Sequence, residues 1–255
     1  MQLSAHNNIK PVLVFLHGLL GSKSDWQKVI KKLPHFQCIA LDLPFHGKAK
    51  QVVVKNFEQT AQYLSSQIKN KVKDKPYFLI GYSLGGRLSL YYALQSNCEK
   101  YNLQGLILEG ANLGLSKKIE RIQRWQQDEY WIDRFTEEKL EHVLIDWYQQ
   151  AVFSSLTEKQ RNDLIQLRKN NVGENIANMI RATSLAKQPD LRAKMQSTRY
   201  PIYYFCGELD YKFRQIATDE KLHLSLISNA GHNSHQENSF EFAKKLEQLL
   251  MQSIS

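Results

Sequence analysis

The sequence predicts an α/β protein in which a mostly parallel sheet is flanked by helices. Short apolar runs recur along the chain, and segments with helical spacing of apolar residues separate them. The runs are continuously apolar, as in residues 11–16, which is typical of strands covered on both faces. Because strands and helices alternate, we expect parallel βαβ units.

Length and composition favour a soluble globular protein with one sizeable core. The 255 residues, of which 42% are hydrophobic and 23% charged, suffice for such a core and an insertion. No apolar stretch resembles a signal peptide or a membrane span, so we expect no membrane insertion. Three widely spaced cysteines favour free thiols in the cytoplasm, and metal-ligand spacing is absent. We expect neither a metal nor an organic cofactor.

The net charge of +9 admits two interpretations. We expect no nucleic-acid partner, because the chain has neither a nucleic-acid motif nor a compact basic run. The positive charge serves either solubility or the attraction of a small polyanionic substrate. The sequence leaves the oligomeric state open.

Six predicted strands fall into two groups. They comprise residues 11–16, 37–42, 77–80 and 105–109 in the first group, and 200–206 and 222–227 in the second. Three capping patterns predict helix starts, at Ser24-x-x-Gln27, Asn56-x-x-Gln59 and Asn238-x-x-Glu241.

The alternation of strands and helices stops between the two groups. Residues 113–188 are helical in pattern and contain three of the four tryptophans together with a series of arginines. We interpret this segment as a helical lid, inserted between a first core part (residues 1–112) and a second (residues 189–255). Most of the lid aromatics are expected to pack between lid helices, and the arginines either lie on solvated faces or bind a substrate.

The segment Gly81-Tyr82-Ser83-Leu84-Gly85 matches the G-x-S-x-G pattern. It follows an apolar strand and precedes a predicted helix, which is the context that this pattern requires. On so sharp a turn, side chains at Gly81 and Gly85 would collide with the flanking elements. The hydroxyl of Ser83 is therefore predicted to stand clear of the sheet, close to a helix N-terminus that favours negative charge.

Ser83, Asp210 and His232 occur in the chain order of the α/β-hydrolase triad, and each follows a predicted strand. Loops that follow parallel strands share one edge of the sheet, so the three side chains can converge. The imidazole would accept the proton of the hydroxyl, and the carboxylate would fix the imidazole tautomer. The backbone N–H groups of Leu19 and Leu84 would form an oxyanion hole. We therefore predict an α/β-hydrolase fold with a helical lid insertion.

Other titratable residues compete for these roles. His235 lies close to His232, but His232 comes directly after the turn that ends the last strand. Asp42 and Glu109 also end strands, but Asp42 precedes the serine and Glu109 precedes the lid, which disfavours both as the triad acid. Two further histidines flank turns and are predicted to be structural or to line the site: His17 and His46.

Motifs spread over the whole chain resemble those of one family. They comprise residues 81–87 (GYSLGGR), 146–150 (DWYQQ), 183–186 (TSLA), 188–192 (QPDLR), 206–208 (CGE) with Asp210, and 230–233 (AGHN) with His235. The family is that of the 2-succinyl-6-hydroxy-2,4-cyclohexadiene-1-carboxylate (SHCHC) synthases of menaquinone biosynthesis. Lids vary freely among α/β hydrolases, so the lid motifs are the specific part of the resemblance. Phe45 departs from the glycine that is common there in the wider superfamily, a change expected at the pocket wall only.

The resemblance implies a lyase that releases pyruvate from 2-succinyl-5-enolpyruvyl-6-hydroxy-3-cyclohexene-1-carboxylate. A ring proton would be removed, with the triad-activated Ser83 as the base, and the enolpyruvyl group would leave. Tyr82 and Trp147 would line the pocket. The substrate carries three carboxylates, for which the implied ligands are Arg87, Arg124 and Arg168.

Two other classes of function remain open at this point. An esterase or thioesterase would use the same triad through an acyl-Ser83 intermediate, and it would turn over simple aryl esters rapidly. A non-enzymatic binding protein on this fold usually lacks part of the triad, so the complete set of residues argues against that class.

Overall fold

The computed structural model describes residues 10–254. Residues 1–9 and 255, and with them most of the N-terminal segment for which no signal peptide is expected, lie outside the described residues. The strands are β1 (Val12–Leu16), β2 (Cys38–Leu41), β3 (Tyr77–Tyr82), β4 (Leu103–Glu109), β5 (Ile202–Gly207) and β6 (His223–Ile227). They form one sheet in the order β2-β1-β3-β4-β5-β6, and all neighbouring pairs run parallel. The predicted parallel α/β architecture is confirmed.

Helices follow the strands on both faces of the sheet and fill the segment between β4 and β5. The α-helices are α1 (Gln27–Ile30), α2 (Phe57–Val72), α3 (Leu84–Leu94), α4 (Lys118–Glu137), α5 (Leu140–Trp147), α6 (Glu158–Arg168), α7 (Gly173–Thr183), α8 (Arg192–Ser197), α9 (Tyr211–Asp219), α10 (Ser234–Glu237) and α11 (Ser239–Ile254). Short 3₁₀ helices lie at Lys23–Trp26, Gly47–Ala49, Ala151–Phe153 and Leu185–Lys187. Within residues 10–254, no helix has both the length and the apolar character that crossing a membrane requires.

The continuously apolar strands are explained by two core clusters, one on each face of the sheet. Successive side chains of a strand point to opposite faces. In β1, Val14 and Leu16 therefore join the cluster that packs under α2 and α3, whereas Phe15 joins the cluster that contains Trp26 and Phe242. All of these side chains are buried, so both faces of β1 are covered.

The helix predicted to begin at Ser24 begins differently, which corrects that prediction. Ser22 caps a 3₁₀ turn, its Oγ accepting the N–H of Ser24, and the Asp25 carboxylate accepts the N–H of Ser22 at 3.3 Å. The capping box is thus shifted two residues towards the N-terminus, and α1 follows only at Gln27. The position of Asp25 matters below, because its carboxylate also faces the lid.

The lid, defined here as residues 113–188, contains helices α4 to α7 and its own apolar cluster. Trp131 packs edge-on against Trp147, with ring centroids 4.9 Å apart, and Phe135 contacts the same indole. The two ends of the lid lie close together, because the N–H of Leu191, three residues after the lid, donates to the carbonyl of Leu113, its first residue, at 2.9 Å. The lid therefore leaves and re-enters the core at one place beside the sheet.

Candidate active site

Ser83 occupies the sharp turn between β3 and α3. Its backbone has a positive φ of 48° with ψ −107°, a strained conformation for a residue with a side chain. Its N–H donates to the carbonyl of Glu109 at 2.8 Å, which ties the turn to the neighbouring strand. A Cβ at Gly81 or Gly85 would overlap backbone atoms of the facing segments, so only glycine fits at both positions.

The structure brings Ser83, His232 and Asp210 together. Nδ1 of His232 lies 2.7 Å from Oδ2 of Asp210, and Nε2 lies 3.3 Å from the Ser83 hydroxyl oxygen. With Nδ1–H donating to the carboxylate, Nε2 is left to accept the serine proton. The Phe213 ring stacks on the imidazole at 4.7 Å, and both members of the His–Asp pair are buried. This arrangement has the geometry of a general-base triad.

The competing residues are engaged elsewhere. The His235 imidazole is fully buried, pairs with the Glu109 carboxylate at 2.8 Å and stacks on Trp26 at 4.2 Å. Glu109 also accepts the Ser234 hydroxyl at 2.7 Å, so this carboxylate holds the segment that carries His232. Asp42 accepts backbone N–H groups from two loops, those of Lys23 and Lys48.

Two backbone N–H groups belong to residues beside Ser83, one on the turn after β1 and one at the start of α3. Leu19 and Leu84 both line the cavity that contains the serine, and within residues 10–254 neither N–H has a protein acceptor. Leu84 is the first residue of α3, where N–H groups have no partner inside the helix. The two groups are thus free to receive an oxygen that develops negative charge.

Two buried histidines hold this turn, as the sequence analysis allowed. Nε2 of His46 accepts the N–H of Leu20 at 3.2 Å, and Nε2 of His17 accepts the N–H of Leu43 at 3.0 Å. In each ring Nδ1 donates to a nearby carbonyl, so both are neutral. Burial lowers the pKa of both side chains, that of His46 to about 3. The histidines therefore act as fixed hydrogen-bond partners of the backbone.

A cavity between lid and core contains the serine. Its lining comprises Leu19, Ser83, Leu84, Arg87, Arg124, Asp128, Trp147, Ile180, Thr183 and Ser184. Arg87 reaches it from α3, whereas Arg124 and Asp128 reach it from α4 of the lid. Two of the three predicted arginines thus share a cavity with the triad serine, and Trp147 forms part of its wall as expected.

The two arginines are held in different ways. Nε of Arg124 donates to Asp128 at 2.9 Å, and Asp128 also accepts the Ser184 hydroxyl at 2.6 Å. Arg87 instead donates from Nε to the amide oxygen of Gln188 at 2.7 Å, and from Nη2 to a backbone carbonyl. Burial, together with the charge of Arg124, lowers the pKa of Arg87 to about 9. A bound anion would offset that unfavourable burial of charge.

Arg168 and Tyr82 are placed differently from the sequence-based expectation. The Arg168 guanidinium forms a two-point pair with Asp25, with distances of 2.7 and 2.8 Å, and does not line the cavity that contains Ser83. Tyr82 does not line it either, because its ring packs behind the triad against His232, with 5.2 Å between centroids. Both side chains therefore support neighbouring groups in this structure.

Asp128 and Gln188 were missed as site residues. Asp128 lies four positions after Arg124 on one helix, a spacing that favours an ion pair and that the sequence alone displayed. Gln188 gave no such signal, because its partner Arg87 is 101 positions away. Among residues 10–254, no cluster of three histidine, cysteine or acidic side chains is arranged to hold a metal ion.

Comparisons with known proteins agree with this geometry. Residues 11–239 match the family model described as alpha/beta hydrolase fold. A 2-succinyl-6-hydroxy-2,4-cyclohexadiene-1-carboxylate synthase of Yersinia enterocolitica is 42% identical over 253 residues, 99% of this chain and 91% of the relative. A Haemophilus influenzae relative, which bears the same synthase name provisionally, is 57% identical over 242 residues, 95% of this chain and 98% of its own.

A solved structure of MenH from S. aureus superimposes with a TM-score of 0.87 at 28% identity, covering 100% of this chain and 98% of that chain. A thermophilic esterase from Thermogutta terrifontis reaches a TM-score of 0.75 at 17% identity, with 96% and 91% coverage, a likeness of fold alone. The two synthase relatives are 42% and 57% identical over 95% or more of the chain, far above the 17% identity of the esterase. The chain belongs to the 2-succinyl-6-hydroxy-2,4-cyclohexadiene-1-carboxylate synthase family of the alpha/beta hydrolase fold.

Proposed function

We propose that the protein is a lyase of menaquinone biosynthesis that eliminates pyruvate from 2-succinyl-5-enolpyruvyl-6-hydroxy-3-cyclohexene-1-carboxylate and gives SHCHC. The observation that carries the proposal is the cavity itself, which a triad serine shares with one arginine of α3 and one of the lid helix α4. A hydrolase of neutral esters has no use for two guanidinium groups beside its serine, whereas a tricarboxylate substrate does.

The proposed chemistry uses Ser83 as a base. His232 accepts the hydroxyl proton, and the serine oxygen removes a proton from the substrate ring. The electron pair of that C–H bond moves through the ring as the C–O bond to the enolpyruvyl group breaks. The leaving group departs as the enolate of pyruvate, which becomes pyruvate when its methylene carbon takes up the proton held by the His232 imidazolium. Asp210, 2.7 Å from Nδ1, stabilises the imidazolium that forms meanwhile.

The remaining groups bind charge. The N–H groups of Leu19 and Leu84 would stabilise the oxygen on which negative charge develops during proton removal. Arg87 and Arg124 would each bind a substrate carboxylate, and Trp147 would pack against the ring. The cavity, about 100 Å³, is smaller than the roughly 300 Å³ or more of typical small-molecule sites. Substrate entry therefore requires lid side chains to move.

The partner of the protein is thus a small polyanion. The positive charge of the chain supports this assignment, because the electrostatic field of a protein with a net charge of +9 attracts anions. The thiols of Cys38, Cys98 and Cys206 are free, which supports a reducing, cytoplasmic location.

The test compares pyruvate release from the synthesised substrate in wild type, Ser83→Ala and Ser197→Ala. Turnover of Ser83→Ala should fall about a thousandfold or more while the substrate still binds, because the lost interaction belongs to the transition state. His232→Ala should behave similarly, and the double variant should be no worse than either single one. Ser197 lies on the exposed helix α8, so its variant should match wild type.

The alternative, an esterase or thioesterase, predicts a different outcome of the same experiment. Short aryl esters or acyl-CoA would then be hydrolysed rapidly, and acyl-Ser83 would accumulate and could be trapped. Strong hydrolysis without pyruvate release would establish that alternative and reject the lyase.

A further inference from the structure

Arg87 differs from the other two predicted carboxylate ligands in what holds it. Arg124 and Arg168 each donate to a carboxylate, which offsets their charge. The partners of Arg87 are uncharged, namely the amide oxygen of Gln188 and the carbonyl of Thr183. Within residues 10–254, Arg87 therefore forms no ion pair with a carboxylate, and the charge of Asp128 in the same cavity offsets its own only in part.

Gln188 is the last residue of the lid and is fully buried. Its Oε1 accepts Nε of Arg87 at 2.7 Å, and its Nε2 donates to the carbonyl of Asn112 at 3.0 Å. The side chain thus connects α3, the loop after β4 and the end of the lid. Asn112 fixes which end of the amide faces Arg87, because a carbonyl can only accept.

The identity of this side chain has a chemical consequence. A glutamate of the same shape would form a stronger, charge-assisted bond to the guanidinium. It would also neutralise Arg87 and place a negative charge beside the cavity. The amide of Gln188 fixes the orientation of the Arg87 guanidinium and adds no negative charge, so the guanidinium still attracts an anion.

We propose that Gln188 is a positioning and specificity residue, which fixes the Arg87 guanidinium at the cavity wall through an uncharged acceptor so that its positive charge remains available to a substrate carboxylate. The proposal rests on the proposed function for the identity of the substrate. The Phe57 ring, 5.6 Å from the guanidinium carbon, covers another side of the group. Burial and the charge of Arg124 lower the pKa of Arg87 despite the opposing charge of Asp128, and a bound anion would favour the charged guanidinium.

The experiment uses Gln188→Glu, which preserves shape and adds charge, and Gln188→Met, which removes the acceptor without adding charge. Gln104→Glu is the matched control, because Gln104 is exposed on β4 and gives the same change in net charge. Steady-state pyruvate release gives kcat and KM. Thermal unfolding with and without citrate, a tricarboxylate, measures anion binding independently of turnover.

Gln188→Glu should raise KM about tenfold or more and leave kcat within about threefold of wild type. The added negative charge weakens binding of the substrate and of the transition state to a similar extent, so the barrier between them changes little. It should also lose the citrate-induced rise in Tm that wild type and Gln104→Glu show. Gln188→Met should raise KM severalfold and retain part of the citrate effect. If Gln188→Glu does not fold, Gln188→Met decides the matter by the same two measurements.

Three results would overturn the proposal. The first is a KM of Gln188→Glu within about twofold of wild type, and the second is an equal KM rise in Gln104→Glu. The third is a citrate-induced rise in Tm that does not distinguish wild type from the Gln188 variants. A failure of the proposed function is distinguishable, because wild type would then release no pyruvate. The citrate comparison would still test Gln188 in that case.

Discussion

Replacing Arg168 with methionine should destabilise the fold far more than it affects substrate binding. The guanidinium bonds both oxygens of Asp25, at 2.7 and 2.8 Å, and the two side chains are only 6% and 4% exposed. Methionine fills much of the same volume but leaves a buried carboxylate unpaired. Breaking such a pair by removing one partner costs about 3–5 kcal/mol, which we expect as the loss in free energy of unfolding of Arg168→Met.

Urea denaturation followed by tryptophan fluorescence measures this loss. Lys159→Met is the matched control, since Lys159 and Asp163 form an exposed pair on the same helix, α6, and an exposed pair contributes about 0–1 kcal/mol. The double variant Asp25→Asn with Arg168→Met removes both charges and should recover part of the loss. Wild-type stability in Arg168→Met together with a strongly raised KM would refute this reasoning and restore Arg168 as a substrate ligand.

The same pair predicts a pH dependence. Burial by itself raises the pKa of Asp25, but the charge and hydrogen bonds of Arg168 outweigh it and leave that pKa below its ordinary value. The stabilisation is therefore present above the ordinary carboxyl pKa and is lost as pH falls through the lowered one. The stability difference between wild type and Arg168→Met should shrink in acid.

Two further predictions concern the cavity and the serine turn. Arg124→Ala should raise KM at least about tenfold while the protein stays folded. The variant loses a guanidinium of the cavity wall and leaves the Asp128 carboxylate unpaired, which repels an anionic substrate. A KM near that of wild type would count against a role of Arg124 in substrate binding. Gly85→Ala should lower both Tm and kcat, since the added Cβ would overlap the carbonyl of Leu16, and a melting curve with an activity assay would detect it; an active variant of unchanged Tm would contradict the packing argument.

The strands and the triad could be predicted because their signals are local or ordered along the chain. Continuous apolar runs marked β1 and its neighbours, and the order of Ser83, Asp210 and His232 fixed which side chains meet once the strands were parallel. The backbone at Phe45 has φ 66°, a left-handed conformation, which explains why glycine is common there. The sequence shows that Phe45 stands in place of this glycine, but it does not show the positive φ of the backbone at that position.

Long-range polar pairing could not be predicted. Arg168 and Asp25 are 143 positions apart, and an arginine on a lid helix looks the same in sequence whether it meets a substrate or a carboxylate of the core. The same holds for Gln188, whose role depends on which group lies opposite its amide. Such choices are made by tertiary packing, after the helices have formed.

The closed base of the lid has a consequence for how this protein can change. The segment leaves the sheet after β4 and returns before β5, which are neighbouring strands. A hydrogen bond between Leu113, its first residue, and Leu191, three residues beyond its last, keeps its two ends close together. A segment whose ends meet can be lengthened, shortened or exchanged without altering the register of the strands it connects. Grafting the lid of another hydrolase between these residues should therefore leave the sheet and the triad intact. During evolution, the substrate of such an enzyme can then change through replacement of the lid, while the serine, histidine and aspartate of the triad are retained.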